Sequence, residues 1–196
     1  MQEKAAKALG EIAAESLEKC VSRLSRVSSG RWRVAGSAVS CRSMAEAVKE
    51  HSVRAAGESA GVYFDISGDF PFSSMVMFKT EDAEIYSRGF LGASFERFRN
   101  LGQAQELLFS ELGNIILNSL AAAMSKATGR PLIPSVPKCV RGETQFLLEA
   151  LWSSMGAPGK RNMLTVTLDL SCCGSVTQAE LIVLIPEALE AALSGE

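Results

Sequence analysis

The stretch LLFSELGNIILNSLAAAMSKATGRPLIPSVP, from Leu107 to Pro137, decides the fold. Advancing by roughly 100° per residue along it separates two stripes of side chains. The first stripe is mostly apolar and consists of Leu108, Leu112, Ile115, Ser119 and Ala123. The second lies at a different angle and consists of Leu107, Glu111, Asn114 and Asn118. We therefore predict a long amphipathic helix with one packed stripe and one stripe free to meet a partner.

The second stripe carries two polar side chains that can address one target together. Glu111 and Asn114 are three residues apart and are therefore neighbours on a helix surface. Leu107 lies on the same stripe, where it either contacts a partner or is covered by a neighbouring helix. Asn118 continues the stripe, where it either contacts a partner or is a polar residue at the boundary of the packed face; we assign it with Leu107 to partner binding. Pro137 is predicted to shape the strand that follows the helix, without a chemical role.

The composition predicts a protein with a sizeable core and no strong charge bias. The chain has 196 residues, of which 47% are hydrophobic, and a net charge of −2. This length is enough for one large or two small domains. The basic residues are dispersed, apart from three arginines between Arg88 and Arg99. That distribution argues against nucleic acid as the main partner.

The cysteines and the single histidine exclude several kinds of site. Five cysteines without a CxxC pair, and one histidine, His51, predict neither a zinc site nor a disulfide framework. His51 is expected on the surface. No carboxylates recur at a spacing that compels a metal site, so we expect no metal or cofactor of the protein's own.

The cellular compartment is predicted from two further features. The charged N-terminal segment has no apolar core followed by a cleavage site, and so does not resemble a signal peptide. The longest apolar run, Leu181 to Ile185, is far short of a membrane span. We expect a soluble, cytoplasmic protein that contacts no membrane.

Hydrophobic periodicity predicts the other elements. In the first half we expect a helix over 3–28, a strand over 31–41, a short helix over 43–54 and a hairpin of strands over 61–67 and 74–79. Thr80 is expected to cap a following helix. In the second half we expect the long helix over about 103–126, an extended segment over 131–140, a helix over 144–155 and strands over 164–172 and 179–185.

The two halves also match at the residue level. Leu9-Gly10 aligns with Leu112-Gly113, and Ile66-Ser67 aligns with Leu170-Ser171. An internal duplication of this kind usually buries its copies against each other. We therefore predict a single α+β domain over residues 1–196, with copies in about 1–100 and 101–196 related by a pseudo-twofold axis. Its sheet is expected to be continuous and mixed or antiparallel, with the two long helices together on the outside.

The motif in the long helix resembles that of the CheC/CheX/FliY family of chemotaxis phosphatases. The family motif is an Asp or Ser followed by Glu, Asn and Pro. In this sequence Glu111, Asn114 and Pro137 occupy the last three positions, with two and 22 residues between them, as in the motif. The duplicated layout and the length resemble the two-copy CheC type. The resemblance covers essentially the whole chain and implies the CheC-like fold.

The sequence departs from the family pattern in two places. Leu107 occupies the Asp or Ser position. In the first copy, Ala8 and Glu11 stand where Glu and Asn are needed, and Val34 falls near the proline position. We therefore expect one working site, in the second copy.

The resemblance implies a phosphatase acting on aspartyl phosphate of a CheY-like response regulator. Asn114 is expected to position the attacking water, because a carboxamide can both accept and donate hydrogen bonds and carries no charge that repels phosphate. The resemblance implies that Glu111 contacts a lysine of the regulator, which also supplies Mg²⁺.

A binding module is the alternative function. It would be a CheC-like scaffold that docks a response regulator, a CheD-like deamidase or a flagellar switch component without catalysis. The apolar residue Leu107 in a polar slot favours this alternative. The exposed long helices are also compatible with a homodimer.

Overall fold

An antiparallel sheet forms the centre of the structure. In the computed structural model, which describes residues 3–54, 57–95, 102–153 and 162–195, seven strands form this sheet. They are β1 (Arg33–Ser43), β2 (Glu58–Gly68), β3 (Phe72–Lys79), β4 (Leu132–Pro134), β5 (Lys138–Glu143), β6 (Asn162–Cys172) and β7 (Ser175–Ile185). The strand order is β1-β6-β7-β3-β2-β4, and β5 also pairs with β2. Every pair is antiparallel, which confirms the predicted continuous sheet.

The helices cover both faces of this sheet. The described α-helices of eight or more residues are α1 (Glu3–Val27), α2 (Met44–Arg54), α3 (Ala83–Leu91), α4 (Gly102–Thr128), α5 (Thr144–Ser153) and α6 (Glu187–Ser194). Helices α1 and α4 pack together on one face, as predicted. Helices α2 and α5 contribute to a smaller core on the other face. Each half therefore contains a long helix, an edge strand, a short helix and a hairpin of two strands, with β4 and β5 together forming the edge strand of the second half. The halves pair at the centre of the sheet through β3 and β7, and also through β1 with β6 and through β2 with β4 and β5.

The two long helices contact each other both in the core and at the surface. Leu9 and Leu17 of α1 belong to the same apolar cluster as Leu112 of α4. At the surface, Glu15 of α1 accepts hydrogen bonds from Lys19 at 2.9 Å and from Lys126 of α4 at 3.1 Å. These ammonium groups, Lys19 foremost, hold the pKa of the Glu15 carboxyl below its usual value.

Helix α4 is also the helix that carries the motif, and its apolar stripe is buried. By length and composition alone it could cross a membrane, but 67% of its most apolar window is buried inside the protein. An ideal Cβ added at Gly113 would lie 2.9 Å from Cβ of Val62 on β2. This close approach fixes α4 against the sheet and leaves the stripe that contains Glu111 on the outer side.

Several predicted boundaries need correction. Thr80 does not cap the following helix, because its hydroxyl donates instead to the Glu58 carbonyl oxygen at 2.9 Å, and a short 3₁₀ turn separates it from α3. Strand β7 begins at Ser175, earlier than predicted, because Cys173 and Gly174 form a tight turn with φ of 54° and 82°. The predicted end of the 144–155 helix lies outside the described residues.

His51 is buried, which contradicts the prediction that it lies on the surface. Only 8% of the residue is exposed, and its Nδ1 lies 3.7 Å from Oε2 of Glu180 on β7. The error arose because α2 has a weak hydrophobic period, so the sequence did not show which of its faces meets the sheet.

Two glycines, one inside α1 and one just beyond its end, lead to opposite predictions for the free energy of unfolding. At Gly30 an added Cβ would lie 2.7 Å from the carbonyl oxygen of Gly89, which accepts a 2.8 Å hydrogen bond from the Gly30 N–H. Gly30→Ala must separate these backbone segments, and we expect it to lower the free energy of unfolding by about 1–3 kcal/mol. At Gly10, inside α1, nothing lies within 4 Å of an added Cβ. Gly10→Ala is therefore expected to raise the free energy of unfolding by about 0.5–1 kcal/mol.

Urea unfolding of the two variants beside the original protein measures both effects. A neutral Gly30→Ala would contradict the close backbone approach. A destabilised Gly10→Ala would show that α1 packs against something at that position.

Candidate active site

The side chains on the outer stripe of α4 are exposed or half-buried, as the helical period of the sequence predicts. Leu107 is 72% exposed, Glu111 is exposed, and Asn114 and Asn118 are half-buried. On the packed stripe of the helix, Leu112 is fully buried. The structure therefore brings the four predicted residues together on one surface and separates them from the core.

Leu107 is 72% exposed, so no helix of the described residues covers it. Its exposure is unusual for a leucine on an otherwise polar stripe, and it lies one helical turn before Glu111. An exposed apolar side chain in this position is available for contact with a partner.

Asn114 and Asn118 are linked by two hydrogen bonds. Nδ2 of Asn118 donates to the backbone carbonyl oxygen of Asn114 at 2.8 Å and to its side-chain Oδ1 at 2.6 Å. The prediction assigned Asn118 to partner binding. Among the described contacts, its amide nitrogen is directed at Asn114 instead. The spacing of four residues between the two asparagines was the signal in the sequence that pointed to such a pair.

The first turns of α4 lie along strand β5 at the edge of the sheet. Nη2 of Arg141 donates to Oε1 of Gln105 at 3.1 Å, and the guanidinium carbon of Arg141 lies 5.9 Å from the centre of the Phe109 ring. Further along the helix, Asn118 and Pro134 line one shallow groove. The helix therefore runs antiparallel to β5 and β4, and Asn114 lies between these two contacts along the helix.

Pro137 lies where this edge strand is interrupted. Pro134 pairs with Ile66 and Lys138 pairs with Tyr63, so three residues, 135–137, oppose only two residues of β2. One extra residue in a strand makes a bulge, and proline fits an edge position because it has no N–H to donate. The predicted structural role of Pro137 agrees with this position. Val136, within the bulge, is 81% exposed.

Ser135 supports the bulge through both backbone groups of Asp65. Its N–H donates to the Asp65 carbonyl oxygen at 2.8 Å, and its hydroxyl accepts from the Asp65 N–H at 3.1 Å. The bulge therefore has a defined structure beside the helix.

The nearest thiol does not offer a nucleophile. Burial raises the pKa of the Cys139 thiol on β5, with a smaller contribution from the carboxylate of Glu106. A raised pKa keeps the thiol protonated at neutral pH, whereas a nucleophilic cysteine needs its thiolate. The outer stripe of α4 offers the carboxylate of Glu111 and the carboxamide of Asn114 instead.

The corresponding surface of the first half has different chemistry. Glu11 is exposed on α1 and Ala8 is half-buried. Val34 lies on β1, whose pairing with β6 shifts register between Val34 and Gly36. Both edges of the sheet thus carry an irregularity at the matching position, but α1 presents a carboxylate where α4 presents a carboxamide.

Beyond this surface, the described chain contains another cleft but no cluster of metal-binding side chains. Within residues 3–54, 57–95, 102–153 and 162–195, no group of three or more His, Cys, Asp or Glu side chains could hold a metal ion. A polar cleft of about 330 Å³ lies on the opposite face of the sheet and is lined partly by His51, Thr167 and Glu180. It does not include Glu111 or Asn114.

Comparison with solved structures identifies the fold. The structure of Thermotoga maritima FliY aligns with 100% of this chain and 96% of its own, with a TM-score of 0.72 and 14% identity. CheX from Desulfovibrio desulfuricans aligns over 88% of this chain and 99% of its own, with a TM-score of 0.55 and 16% identity. The FliM middle domain from H. pylori aligns over 100% of both chains, with a TM-score of 0.63 and 9% identity.

Comparison of the sequence alone does not identify a family. No protein-family model matches the sequence, and no curated protein matches it. The CheC-like fold that the resemblance implied is nevertheless confirmed by the structural comparison. The chain has the fold shared by FliY, CheX and the FliM middle domain.

Proposed function

We propose that the protein hydrolyses aspartyl phosphate on a CheY-like response regulator in chemotaxis or another two-component pathway. The observation that supports this most strongly is the exposed face of α4, where Glu111 and Asn114 are neighbours at the motif's spacing from Pro137. A fold shared with FliY and CheX supports the same function.

Asn114 positions the attacking water in this proposal. Water adds to phosphorus as the bond to the aspartyl oxygen breaks, which releases inorganic phosphate and the free carboxylate of the regulator. Such a transfer depends mainly on positioning and electrostatics. A neutral carboxamide suits the task because it can hydrogen-bond to water or to a phosphoryl oxygen without repelling the phosphoryl charge. Glu11, at the equivalent position of the first half, lacks these properties.

Glu111 engages the regulator. Its carboxylate is exposed on the same face as Asn114, so a lysine of the regulator can reach it. Because the carboxylate is in contact with solvent in the free protein, the fold does not bear the cost of a buried, unpaired charge. Mg²⁺ is expected to come with the regulator and to offset phosphoryl charge there. Leu107 and Val136 provide exposed apolar contacts at the margins of the site.

The remaining expectations belong to the same proposal. The two halves act as one domain derived by duplication, with a single site in the second half. The protein works in the cytoplasm, where response regulators are found.

The second candidate is a scaffold that binds without catalysis. The observation that favours it is Leu107, an exposed apolar residue in a polar slot. The FliM middle domain, which has the same fold, also supports this alternative. Its partner would be a response regulator, a CheD-like deamidase or a flagellar switch component.

Turnover distinguishes the two candidates. A CheY-like regulator from the same genome is charged with a small-molecule phosphodonor, and phosphate release is followed with the protein at about one-twentieth of the regulator's concentration, so that only repeated turnover gives a large effect. We expect acceleration above the regulator's own rate. No acceleration with any such regulator, while binding remains detectable, would contradict the phosphatase and favour the scaffold.

A further inference from the structure

We propose that Asn118 is a positioning residue, which holds the Asn114 carboxamide so that its NH₂ group faces outward from α4. The orientation can be defined in the isolated protein and does not depend on the proposed function. Its consequence for catalysis rests on the proposed function.

The orientation follows from a chain of hydrogen-bond requirements. The backbone carbonyl oxygen of Asn114 can only accept, and the amide end of Asn118 that lies 2.8 Å from it must therefore be the NH₂ group. That same nitrogen lies 2.6 Å from the end of the Asn114 side chain. Two facing NH₂ groups would repel each other, so the nearer atom of Asn114 must be its oxygen. The NH₂ group of Asn114 is left on the other side.

The two contacts also engage the amide nitrogen of Asn118. This nitrogen lies within hydrogen-bonding distance of both oxygens of Asn114. Asn118 therefore donates to Asn114, which argues against direct partner binding as its main role. Its half-buried position one turn behind Asn114 fits a supporting residue.

The fixed orientation selects one of the two hydrogen-bonding modes of a carboxamide. One lone pair of the Asn114 oxygen is occupied, and two N–H groups face outward. Asn114 thus meets the phosphorylated regulator chiefly as a donor, to a phosphoryl oxygen or to a lone pair of the attacking water. A freely rotating side chain would present its oxygen in part of the population and lose that preorganisation.

The orientation is tested in the isolated protein by NMR of the side-chain amides. We expect the Asn118 NH₂ protons to exchange with water about five- to tenfold more slowly than those of Asn114, since among the described contacts only the Asn118 NH₂ group donates hydrogen bonds. In Asn118→Asp, the carboxylate can only accept at neutral pH, so the Asn114 NH₂ should turn inward and become the protected group. Equal exchange in the original protein, or an Asn114 amide unchanged in Asn118→Asp, would overturn the proposal whether or not the protein is a phosphatase.

The catalytic consequence is tested with the same variant and two others. We expect Asn118→Ala to lower kcat about five- to tenfold, as the loss of one supporting hydrogen bond predicts. The isosteric Asn118→Asp should lower it about 30- to 100-fold, because it holds Asn114 in the wrong orientation. KM should change less than threefold in both, since the partner contacts remain.

Ala122→Asp is the matched control. Ala122 is exposed one turn further along the same helix, so this variant adds the same charge without touching Asn114. We expect its kcat to stay unchanged. If Ala122→Asp is as slow as Asn118→Asp, or if Asn118→Asp acts only on KM, charge repulsion replaces positioning as the explanation. An original protein without phosphatase activity would contradict the proposed function, while the exchange measurement would still decide the orientation.

Discussion

Asn114→Ala is expected to reduce the accelerated phosphate release about 100- to 1,000-fold, the usual effect of removing one preorganised group at the reacting centre. The alanine leaves the attacking water without its hydrogen-bonding partner, while Glu111 and Leu107 still meet the regulator. The loss should therefore appear in kcat, with the affinity for the phosphorylated regulator nearly unchanged. Initial rates over a range of regulator concentrations separate the two effects.

The stability of the variant is the first control. Asn114 is half-buried and its side-chain oxygen is paired only with Asn118 among the described contacts, so its loss should leave the thermal midpoint within a few degrees of the original. Glu11→Ala is the matched variant on α1, at the equivalent position of the first half, and should retain full activity. A normal rate of phosphate release with Asn114→Ala would contradict the proposed mechanism. A low rate with Glu11→Ala would indicate that the active site lies on α1.

Glu111→Lys is expected to raise KM for the phosphorylated regulator about 30-fold or more, which corresponds to roughly 2 kcal/mol for a reversed charge at an interface. The side chain is exposed in the free protein, so the substitution leaves the fold intact and places a cation against the lysine of the regulator. Because the effect is electrostatic, it should shrink as the salt concentration rises. The value of kcat, measured at saturation, should change much less than KM.

Glu11→Lys provides the same change of net charge on the other long helix. We expect its KM to remain close to that of the original protein, because α1 lies outside the proposed contact. An equal rise in KM for both variants would indicate that overall charge, and not a specific pair, governs association. A Glu111→Lys variant with normal KM and low kcat would assign Glu111 to the chemical step instead.

The helices and most of the sheet were predictable because their residues follow regular periods. The apolar stripe of α4 has a helical spacing, and Leu112, Ile115 and Leu120 are all buried where it places them. Strand β6 alternates and pairs on both sides with antiparallel neighbours. The spacing of Glu111, Asn114 and Pro137 supported the family resemblance, and that resemblance implied the fold.

Features that depend on long-range contacts were not predictable in the same way. The exposure of Leu107 depends on where the other elements end, and its two alternatives had equal support in the sequence. His51 is buried because α2 lies close enough to β7 for its ring to approach Glu180, a residue more than 120 positions away. Thr80 was assigned as a cap from its neighbours, but its hydroxyl met the Glu58 carbonyl across the hairpin.

The role of Asn118 was missed for a different reason. The sequence shows that Asn114 and Asn118 are neighbours on one helix face, but the choice between a partner contact and a bond to Asn114 depends on side-chain rotamers. Asparagine within a helix can hydrogen-bond to the carbonyl four residues earlier. Here that bond brings the amide close enough to meet the second side chain as well.

The measurement that tests the central claim most directly follows the Asn114 side-chain amide while the regulator binds. The regulator is loaded with Mg²⁺ and beryllofluoride as a mimic of its phosphoryl group, and NMR compares this complex with the unloaded regulator. We predict that the Asn114 NH₂ resonances shift and gain protection only with the loaded regulator, and that the Leu107 methyl resonances shift with them. Binding of the loaded regulator that perturbs α1 or β1 and leaves Asn114 unchanged would contradict the account.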